Sequence, residues 1–285
     1  MSAKITLVEC PRDAMQGWEH FIPTAKKIEY INKLLRVGFD VLDFGSFVSA
    51  KAIPQLADTK DVIPHLDLDG TDTKLLAIIA NTRGAADAVV YDQISYLGFP
   101  FSISETFQMR NTNKTIAQSL TQVEEMQQLC VKHGKEMVIY ISMGFGNPYG
   151  DPYNAEVAID WVGKLSQLGI KTFAMSDTVG VAKPDTIEYI FSHLVPEFKD
   201  LNIGAHFHST ADKWEEKMDA AYKNGCLRFD SSMKGIGGCP MAEDELVGNI
   251  ATENVVYWAE KNKIDLNINL DAFYEASRMA AGIFI

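Results

Sequence analysis

The chain has 285 residues, and its 26 Lys and Arg against 38 Asp and Glu give a formal charge of −12. Apolar residues make up 47% of the chain, a share that supports a large core and argues against disorder. No apolar run approaches the roughly 18 residues that a membrane helix needs. A surface of this charge also repels the phosphates of nucleic acids. We therefore expect a folded protein that binds neither membranes nor nucleic acid.

The four cysteines, Cys10, Cys130, Cys226 and Cys239, are too few and too scattered for a disulfide framework. The first residues run directly into a strand-like segment and lack the pattern of a signal or transit peptide. We expect a reducing, cytoplasmic setting.

Short β-branched or aromatic runs alternate along the chain with longer segments of helical spacing. The strand-like runs are 4–9, 39–44, 75–80, 99–103, 136–142, 171–176, 203–208 and 227–231. The helical segments are 24–37, 83–96, 113–133, 154–168, 184–198, 211–223, 243–261 and 271–282. This alternation predicts a (β/α)8 TIM barrel with an extra C-terminal helix, as a single domain over residues 1–285. An open doubly wound sheet is less favoured, because no Gly-rich phosphate fingerprint follows the first run.

Polar residues cluster where the strand-like runs end, which is where TIM barrels place their active sites. They include Arg12, Asp13, Asp43, Asp177, His206, His208 and Asp230. We expect these side chains to meet at the carboxyl end of the barrel.

His206 and His208 are two residues apart on a strand, so both imidazoles face the same side. Together they could bind one metal ion, although a pair of hydrogen-bonded histidines without metal is an alternative. A carboxylate and an amide oxygen would complete a set suited to Mg²⁺, Mn²⁺ or Fe²⁺. Asp13 and Asn249 are candidates, but spacing alone does not select them.

Two further residues have both a structural and a chemical interpretation. Arg12 could form a surface ion pair with Asp13, or it could stabilise a developing oxyanion. Cys239 could be a packed apolar residue, or it could act as an acid, base or nucleophile. Three glycines lie shortly before Cys239 and a proline follows it, which favours a flexible loop near the catalytic face.

The chain resembles the 3-hydroxy-3-methylglutaryl-CoA lyases of the DRE-TIM metallolyase family from residue 4 to residue 283. The matching motifs are PRDAMQ at 11–16, SFVSAK at 46–51, IPQ at 53–55, DTVGV at 177–181, HFH at 206–208, GIGGCP at 235–240 and GNIATE at 248–253. Each motif is short, but their common order over the whole length makes the match specific.

This resemblance implies cleavage of 3-hydroxy-3-methylglutaryl-CoA to acetyl-CoA and acetoacetate, as in leucine degradation and ketone-body formation, with Mg²⁺ or Mn²⁺ as cofactor. It implies that the metal ligands are Asp13, His206, His208 and Asn249. It also implies that Arg12 stabilises the enolate and that Cys239 is the acid/base thiol. Asp43, Asp177 and Glu253 are implied to be supporting polar residues, and the base is left open between Asp13 and Cys239.

Three positions depart from the family pattern. Asp43 stands where the family has glutamate, Ser209 where it has Asp or Asn, and Asn147 where it often has cysteine. These departures allow a different 3-hydroxyacyl-CoA as substrate. A related Claisen-type acyltransferase or aldolase is the enzymatic alternative, but the Gly-Gly-Cys-Pro segment favours a lyase. A barrel that binds without catalysing is the non-enzymatic alternative.

Coenzyme A is a polyanion, so its binding by an acidic protein requires a local basic patch. Lys51 and Arg110, each in a predicted loop after a strand, are the candidates. The resemblance also suggests a homodimer. The apolar residues of the last predicted helix could pack against the partner, or they could close the bottom of their own barrel.

Overall fold

The computed structural model describes residues 4–238 and 247–285. Within these residues, eight parallel strands pair in chain order and the eighth returns to the first, which closes the sheet into a barrel. The strands are β1 (Thr6–Glu9), β2 (Val41–Ser46), β3 (Lys74–Ile78), β4 (Ile94–Ser102), β5 (Glu136–Ser142), β6 (Thr172–Asp177), β7 (Asn202–Phe207) and β8 (Arg228–Ser231). The predicted (β/α)8 TIM barrel is confirmed.

Helices surround the barrel, and three short 3₁₀ turns lie between them in the described part of the chain. The helices are α1 (Pro11–Gln16), α2 (Thr24–Leu35), α3 (Thr59–Val62), α4 (Thr82–Ala88), α5 (Glu105–Thr112), α6 (Ile116–Lys132), α7 (Ala155–Ser166), α8 (Pro184–Glu197), α9 (Trp214–Lys223), α10 (Thr252–Lys261) and α11 (Leu270–Ile283). The 3₁₀ turns are Pro54–Leu56, Ile63–His65 and Met233–Gly235. Among the described helices, none combines the length and apolarity needed to cross a membrane.

The predicted extra C-terminal helix is α11. It packs against α2 and the Met233–Gly235 turn of its own chain, on the side of the barrel rather than across its bottom. Phe273 is buried, and Phe284 packs edge-on against the rings of Trp18 and Tyr30. These aromatic side chains therefore belong to the core of their own chain.

Strand residues alternate between two apolar regions that the sheet separates. The region inside the barrel contains Val8, Val41, Leu76, Val138 and Tyr140. The larger region fills the space between the strands and the helices. The polar residues that face inward near the carboxyl ends of the strands therefore lie next to the apolar interior of the barrel.

The helix predicted over 83–96 was wrong in its second half. α4 ends at Ala88, and Ile94 and Tyr96 already belong to β4, where they pair with Leu75 and Leu76 of β3. Pairing with a neighbouring strand thus overrides the helical spacing of these residues. The helix predicted over 243–261 begins later, at Thr252, and residues 243–246 lie outside the described part of the chain.

Besides the single-turn helix α3, two of the described helices were not predicted. One is α1, which starts with Pro11 at its first turn and carries Arg12 and Asp13. The other is α5, whose first turn is capped by the hydroxyl of Ser104, which accepts a hydrogen bond from the Phe107 N–H. Both helices follow a strand directly and line the carboxyl end of the barrel.

Candidate active site

A cavity of about 250 Å³ opens at the carboxyl ends of the strands. Its polar wall contains Arg12, Asp13, His206 and His208. A cleft of about 640 Å³ lies at the opposite end of the barrel, lined by residues such as Lys4, Asp72 and Asn202. We place the candidate site in the first cavity because TIM barrels carry their chemistry at the carboxyl end.

Helix α1 presents Arg12 to the cavity in a fixed position. The Nε and Nη2 atoms of Arg12 donate to Asp43 Oδ2 over 2.9 and 2.5 Å. Its Nη1 donates to Asp13 Oδ1 over 2.9 Å and to Gln16 Oε1 over 2.8 Å. The paired contacts with Asp43 hold the guanidinium plane, as expected for an arginine–carboxylate fork.

The charges in this cluster stabilise one another. Burial raises the pKa of Asp43 to about 6, although the Arg12 guanidinium opposes the rise. Burial alone would raise the pKa of Asp13, but Arg12 and His206 outweigh it and lower that pKa below its usual value. Asp13 is therefore ionised at neutral pH and can act as a ligand or a base.

His206 and His208 turn the same ring edge away from the cavity centre. His206 Nδ1 lies 3.3 Å from Asp230 Oδ2, and His208 Nδ1 lies 2.9 Å from the backbone oxygen of Thr178. A carbonyl oxygen can only accept, so His208 Nδ1 carries the proton and Nε2 keeps its lone pair. Burial, with His206 nearby, lowers the pKa of His208 to about 4, which keeps its ring neutral.

The Asp13, His206 and His208 side chains form a group that fits a divalent cation. One ligand atom from each residue lies within 4.8 Å of the others, and all three residues are buried. His208 Nε2 is buried without a hydrogen-bond partner among the described residues, which is costly unless a ligand binds there. One carboxylate oxygen and two imidazole nitrogens suit Mn²⁺, Fe²⁺ or Mg²⁺.

Asn249 lies beside Asp13 but faces it through its amide nitrogen. Its Nδ2 donates to Asp13 Oδ2 over 2.6 Å and to the backbone oxygen of Ile236 over 3.0 Å. The Gly237 backbone packs against this pair, since a Cβ at Gly237 would lie 2.4 Å from Asn249 Nδ2 and 3.0 Å from Asp13 Oδ2. The position also has a φ of +115°, so both the lack of space and the backbone conformation require glycine there. Cys239, two residues further on, lies outside the described residues.

Asp177 and Glu253 lie outside the cavity wall. Asp177 accepts from Lys217 Nζ over 2.6 Å, and the same Nζ donates to the backbone oxygen of His208 over 2.8 Å. Glu253 accepts from Ser277 Oγ over 2.7 Å and from the backbone N–H of Lys234 over 3.0 Å. Asp177 therefore supports the end of β7, and Glu253 supports the turn that leads into the glycine-rich segment.

The departures from the family pattern have local structural consequences. Asn147 Oδ1 accepts from the backbone N–H groups of Tyr149 and Asp151, so this asparagine shapes the loop after β5. Ser209 bonds to backbone through both its N–H and its hydroxyl. Lys51 and Arg110, the predicted basic residues, are both exposed.

Sequence reasoning missed the roles of Asp230 and Glu9. Asp230 was noted as a strand-end residue, but its contact with His206 became visible only in three dimensions. Glu9 ends β1 fully buried, and its carboxyl oxygens accept from the Met233 N–H over 2.9 Å and from Thr252 Oγ1 over 2.5 Å. The sequence did contain a signal for Glu9, namely an acidic residue at the end of an apolar strand-like run.

The HMGL-like family model matches residues 4–280. The hydroxymethylglutaryl-CoA lyase of Bacillus subtilis is 33% identical over 276 residues, covering 96% of this chain and 91% of that protein. The 3-hydroxy-3-isohexenylglutaryl-CoA/hydroxy-methylglutaryl-CoA lyase of Pseudomonas aeruginosa is 30% identical over 283 residues, covering 98% and 93%. An HMG-CoA lyase from Acinetobacter baumannii, solved in complex with coenzyme A and 3-methylmalate, has a TM-score of 0.92 at 32% identity, covering 100% of this chain and 93% of that one.

These likenesses extend over nearly the whole chain in both sequence and structure. The chain therefore belongs to the HMGL-like family and is a carbon–carbon lyase.

Proposed function

We propose that this enzyme cleaves 3-hydroxy-3-methylglutaryl-CoA to acetyl-CoA and acetoacetate and that the reaction depends on a divalent cation. The observation that carries the proposal is the meeting of Asp13, His206 and His208 beside the clamped Arg12 guanidinium. A cation-binding group and a fixed positive charge within one buried cavity match the two charges that develop in such a cleavage, on an alkoxide and on an enolate.

Asp13, His206 and His208 would hold the cation, with Asn249 as the proposed fourth ligand. When bound, Mg²⁺ or Mn²⁺ supplies Lewis acidity that lowers the pKa of a coordinated hydroxyl group. The protein contributes the orientation of the ligands. Thr178 and Asp230 fix the two imidazole rings, and Arg12 and Asn249 fix the Asp13 carboxylate.

In the proposed reaction the substrate hydroxyl loses its proton to a base, the C2–C3 bond breaks, and the electron pair moves to the thioester. The products of this step are the ketone acetoacetate and the enolate of acetyl-CoA. The enolate carbon then takes a proton. Asp13 and Cys239 are the candidates for the base, and Cys239 is the proposed acid for the final protonation.

Arg12 is suited to stabilise the enolate oxygen. A guanidinium has five N–H groups, and the described contacts of Arg12 with Asp43, Asp13 and Gln16 engage four of them. One N–H on Nη2 is thus left for a substrate oxygen. Because Asp43 already holds the guanidinium plane, little reorganisation is needed when charge develops.

Apolar side chains elsewhere in the cavity wall would contact the acyl group. They include Ile78 of β3, Pro100 of β4 and Phe107 of α5. The coenzyme A moiety would lie at the rim of the barrel, where we propose Lys51 and Arg110 as contacts for its phosphates. We also propose that the enzyme is cytoplasmic and forms a homodimer. Light scattering of the purified protein would test the dimer.

The direct test is to incubate the purified protein with 3-hydroxy-3-methylglutaryl-CoA and Mg²⁺ or Mn²⁺ and to measure acetoacetate. We expect product that EDTA abolishes, and a loss of kcat of about 100- to 1,000-fold in Arg12→Lys. Arg83→Lys, the same substitution on the exposed surface of α4, is the matched control and should change nothing.

A panel of 3-hydroxyacyl-CoA thioesters with longer C3 substituents defines the substrate. Cleavage of a longer homologue without cleavage of the methyl compound would reject the specific substrate and keep the lyase class. Condensation of acetyl-CoA with a 2-oxoacid, without any cleavage, would instead support the acyltransferase alternative. Full activity of Arg12→Lys would reject the role of this arginine.

A further inference from the structure

Arg228 is a buried arginine inside the barrel that the proposed reaction does not use. It is the first residue of β8, two positions before Asp230, so both side chains point to the interior of the barrel. The side chain of Arg228 is 2% exposed. Its Nε and Nη2 atoms have no hydrogen-bond partner among the described residues. A buried charge of this kind is costly unless it is paired and hydrogen-bonded.

The neighbouring strand leaves space for this side chain. Gly204 of β7 lies opposite Arg228, and a Cβ at Gly204 would lie 2.7 Å from both Cγ and Cδ of Arg228. Any larger residue at position 204 would therefore displace the arginine. Because Gly204 has no side chain, the Arg228 side chain has room to extend along the barrel interior.

Arg228 meets one carboxylate, and that carboxylate meets a proposed metal ligand. Its Nη2 lies 3.7 Å from Asp230 Oδ1, while Asp230 Oδ2 lies 3.3 Å from His206 Nδ1. The two oxygens of Asp230 are thus divided between the arginine and the imidazole. Asp230 Oδ1 has no hydrogen-bond partner among the described residues, so this ion pair is its main orienting contact.

We propose that Arg228 is a positioning residue for the metal site. Its charge holds Oδ1 of Asp230, which turns Oδ2 toward His206 Nδ1 and leaves His206 Nε2 facing Asp13 and His208. The effect passes from Arg228 through Asp230 to His206, and Arg228 itself contacts neither the cation nor the substrate. This inference rests on the proposed function in that it assumes a cation at the Asp13–His206–His208 group.

The test is the affinity of the purified, metal-free protein for Mn²⁺, measured by electron paramagnetic resonance of the free ion. Residues that orient a metal ligand typically contribute 10- to 100-fold to affinity, so we expect the Kd of Arg228→Met to rise about tenfold or more. Arg228→Lys keeps the charge and should recover much of the affinity. Imidazole ¹⁵N resonances of His206 should show loss of the fixed Nδ1–H in Arg228→Met.

Lys27→Met is the matched control, because Lys27 is also a buried cation but lies on α2 and pairs with Asp58. It should lower thermal stability and leave the Kd for Mn²⁺ unchanged. If Arg228→Met fails to fold, Gly204→Ala provides a second perturbation, since it displaces the arginine without removing its charge. We expect Gly204→Ala to raise the Kd in the same direction.

A folded Arg228→Met or Gly204→Ala variant that binds Mn²⁺ within twofold of the unmodified protein would overturn the inference. The proposed function fails separately. An unmodified protein that cleaves no hydroxyacyl-CoA, in combination with weak Mn²⁺ binding by Arg228→Met, would reject the reaction but support the positioning role.

Discussion

Replacing Glu9 by glutamine should stabilise the protein, and the gain should grow with pH. Burial raises the pKa of Glu9 to about 8 from an ordinary value of 4.5, although hydrogen bonds from Thr252 and Met233 oppose the rise. A glutamine of the same shape keeps an oxygen for the Met233 N–H. Its amide can donate to Thr252 Oγ1, which also lies 2.9 Å from Ser231 Oγ. The substitution therefore removes the charge and preserves the contacts.

The expected gain follows from the difference in pKa between the folded and unfolded states. Between pH 4.5 and pH 8 the folded state binds more protons at Glu9 than the unfolded state, so stability falls as the pH rises. Keeping Glu9 protonated in the folded state, where the unfolded chain would ionise it, costs about 1.4 kcal/mol at pH 5.5 and about 4 kcal/mol at pH 7.5. Glu9→Gln should therefore gain about 2.5 kcal/mol over the unmodified protein between these two pH values.

Urea unfolding of both proteins at pH 5.5 and pH 7.5, in the presence of EDTA, measures this difference. EDTA is needed because a bound metal would stabilise the folded state by mass action. Glu188→Gln, on the exposed face of α8, is the matched control and should show no pH-dependent gain. A Glu9→Gln variant whose advantage is the same at both pH values would refute the assignment of a high pKa to Glu9.

Three other substitutions test separate parts of the structure. Asp43→Asn should lower kcat about 100-fold in the acetoacetate assay, because it removes the charge that holds the Arg12 guanidinium; unchanged kcat would contradict this role. Lys217→Met should destabilise the protein by about 3–5 kcal/mol in urea unfolding, because it leaves Asp177 buried without its cation; a loss below 1 kcal/mol would be inconsistent with that pairing. Gly237→Ala should weaken Mn²⁺ binding at least tenfold, because its Cβ would clash with the Asn249 side chain, which contacts Asp13. Unchanged Mn²⁺ binding would show that the backbone at Gly237 does not support the site.

The sequence predicted the barrel because its periodic pattern is local. Alternating strand-like and helical segments are visible in short windows, and glycines such as Gly134 and Gly169 mark where helices end. The boundaries of β4 were not predictable in the same way. The residues from Ile94 onward carry helical spacing, and only their pairing with β3 selects a strand.

The candidate site was predictable to the extent that it follows from strand ends. His206 and His208 lie two positions apart on one strand, so their common direction needs no knowledge of the rest of the chain. The position of Glu253 behind the Met233–Gly235 turn, and the orientation of the Asn249 amide, depend instead on residues far away in sequence. The ion pair of Arg228 with Asp230 also requires the space at Gly204, which no pattern of residue types reveals.

The hydrogen bond between Asp13 and Asn249 joins residues 236 positions apart. Glu9 makes two similar connections, to Met233 and Thr252, across 224 and 243 positions. A chain leaving the ribosome exposes Asp13 well before Asn249, and closing so long a loop delays contact formation. The proposed ligand group therefore assembles only when the first and last strands join, so the appearance of cation affinity during refolding reports the closure of the barrel.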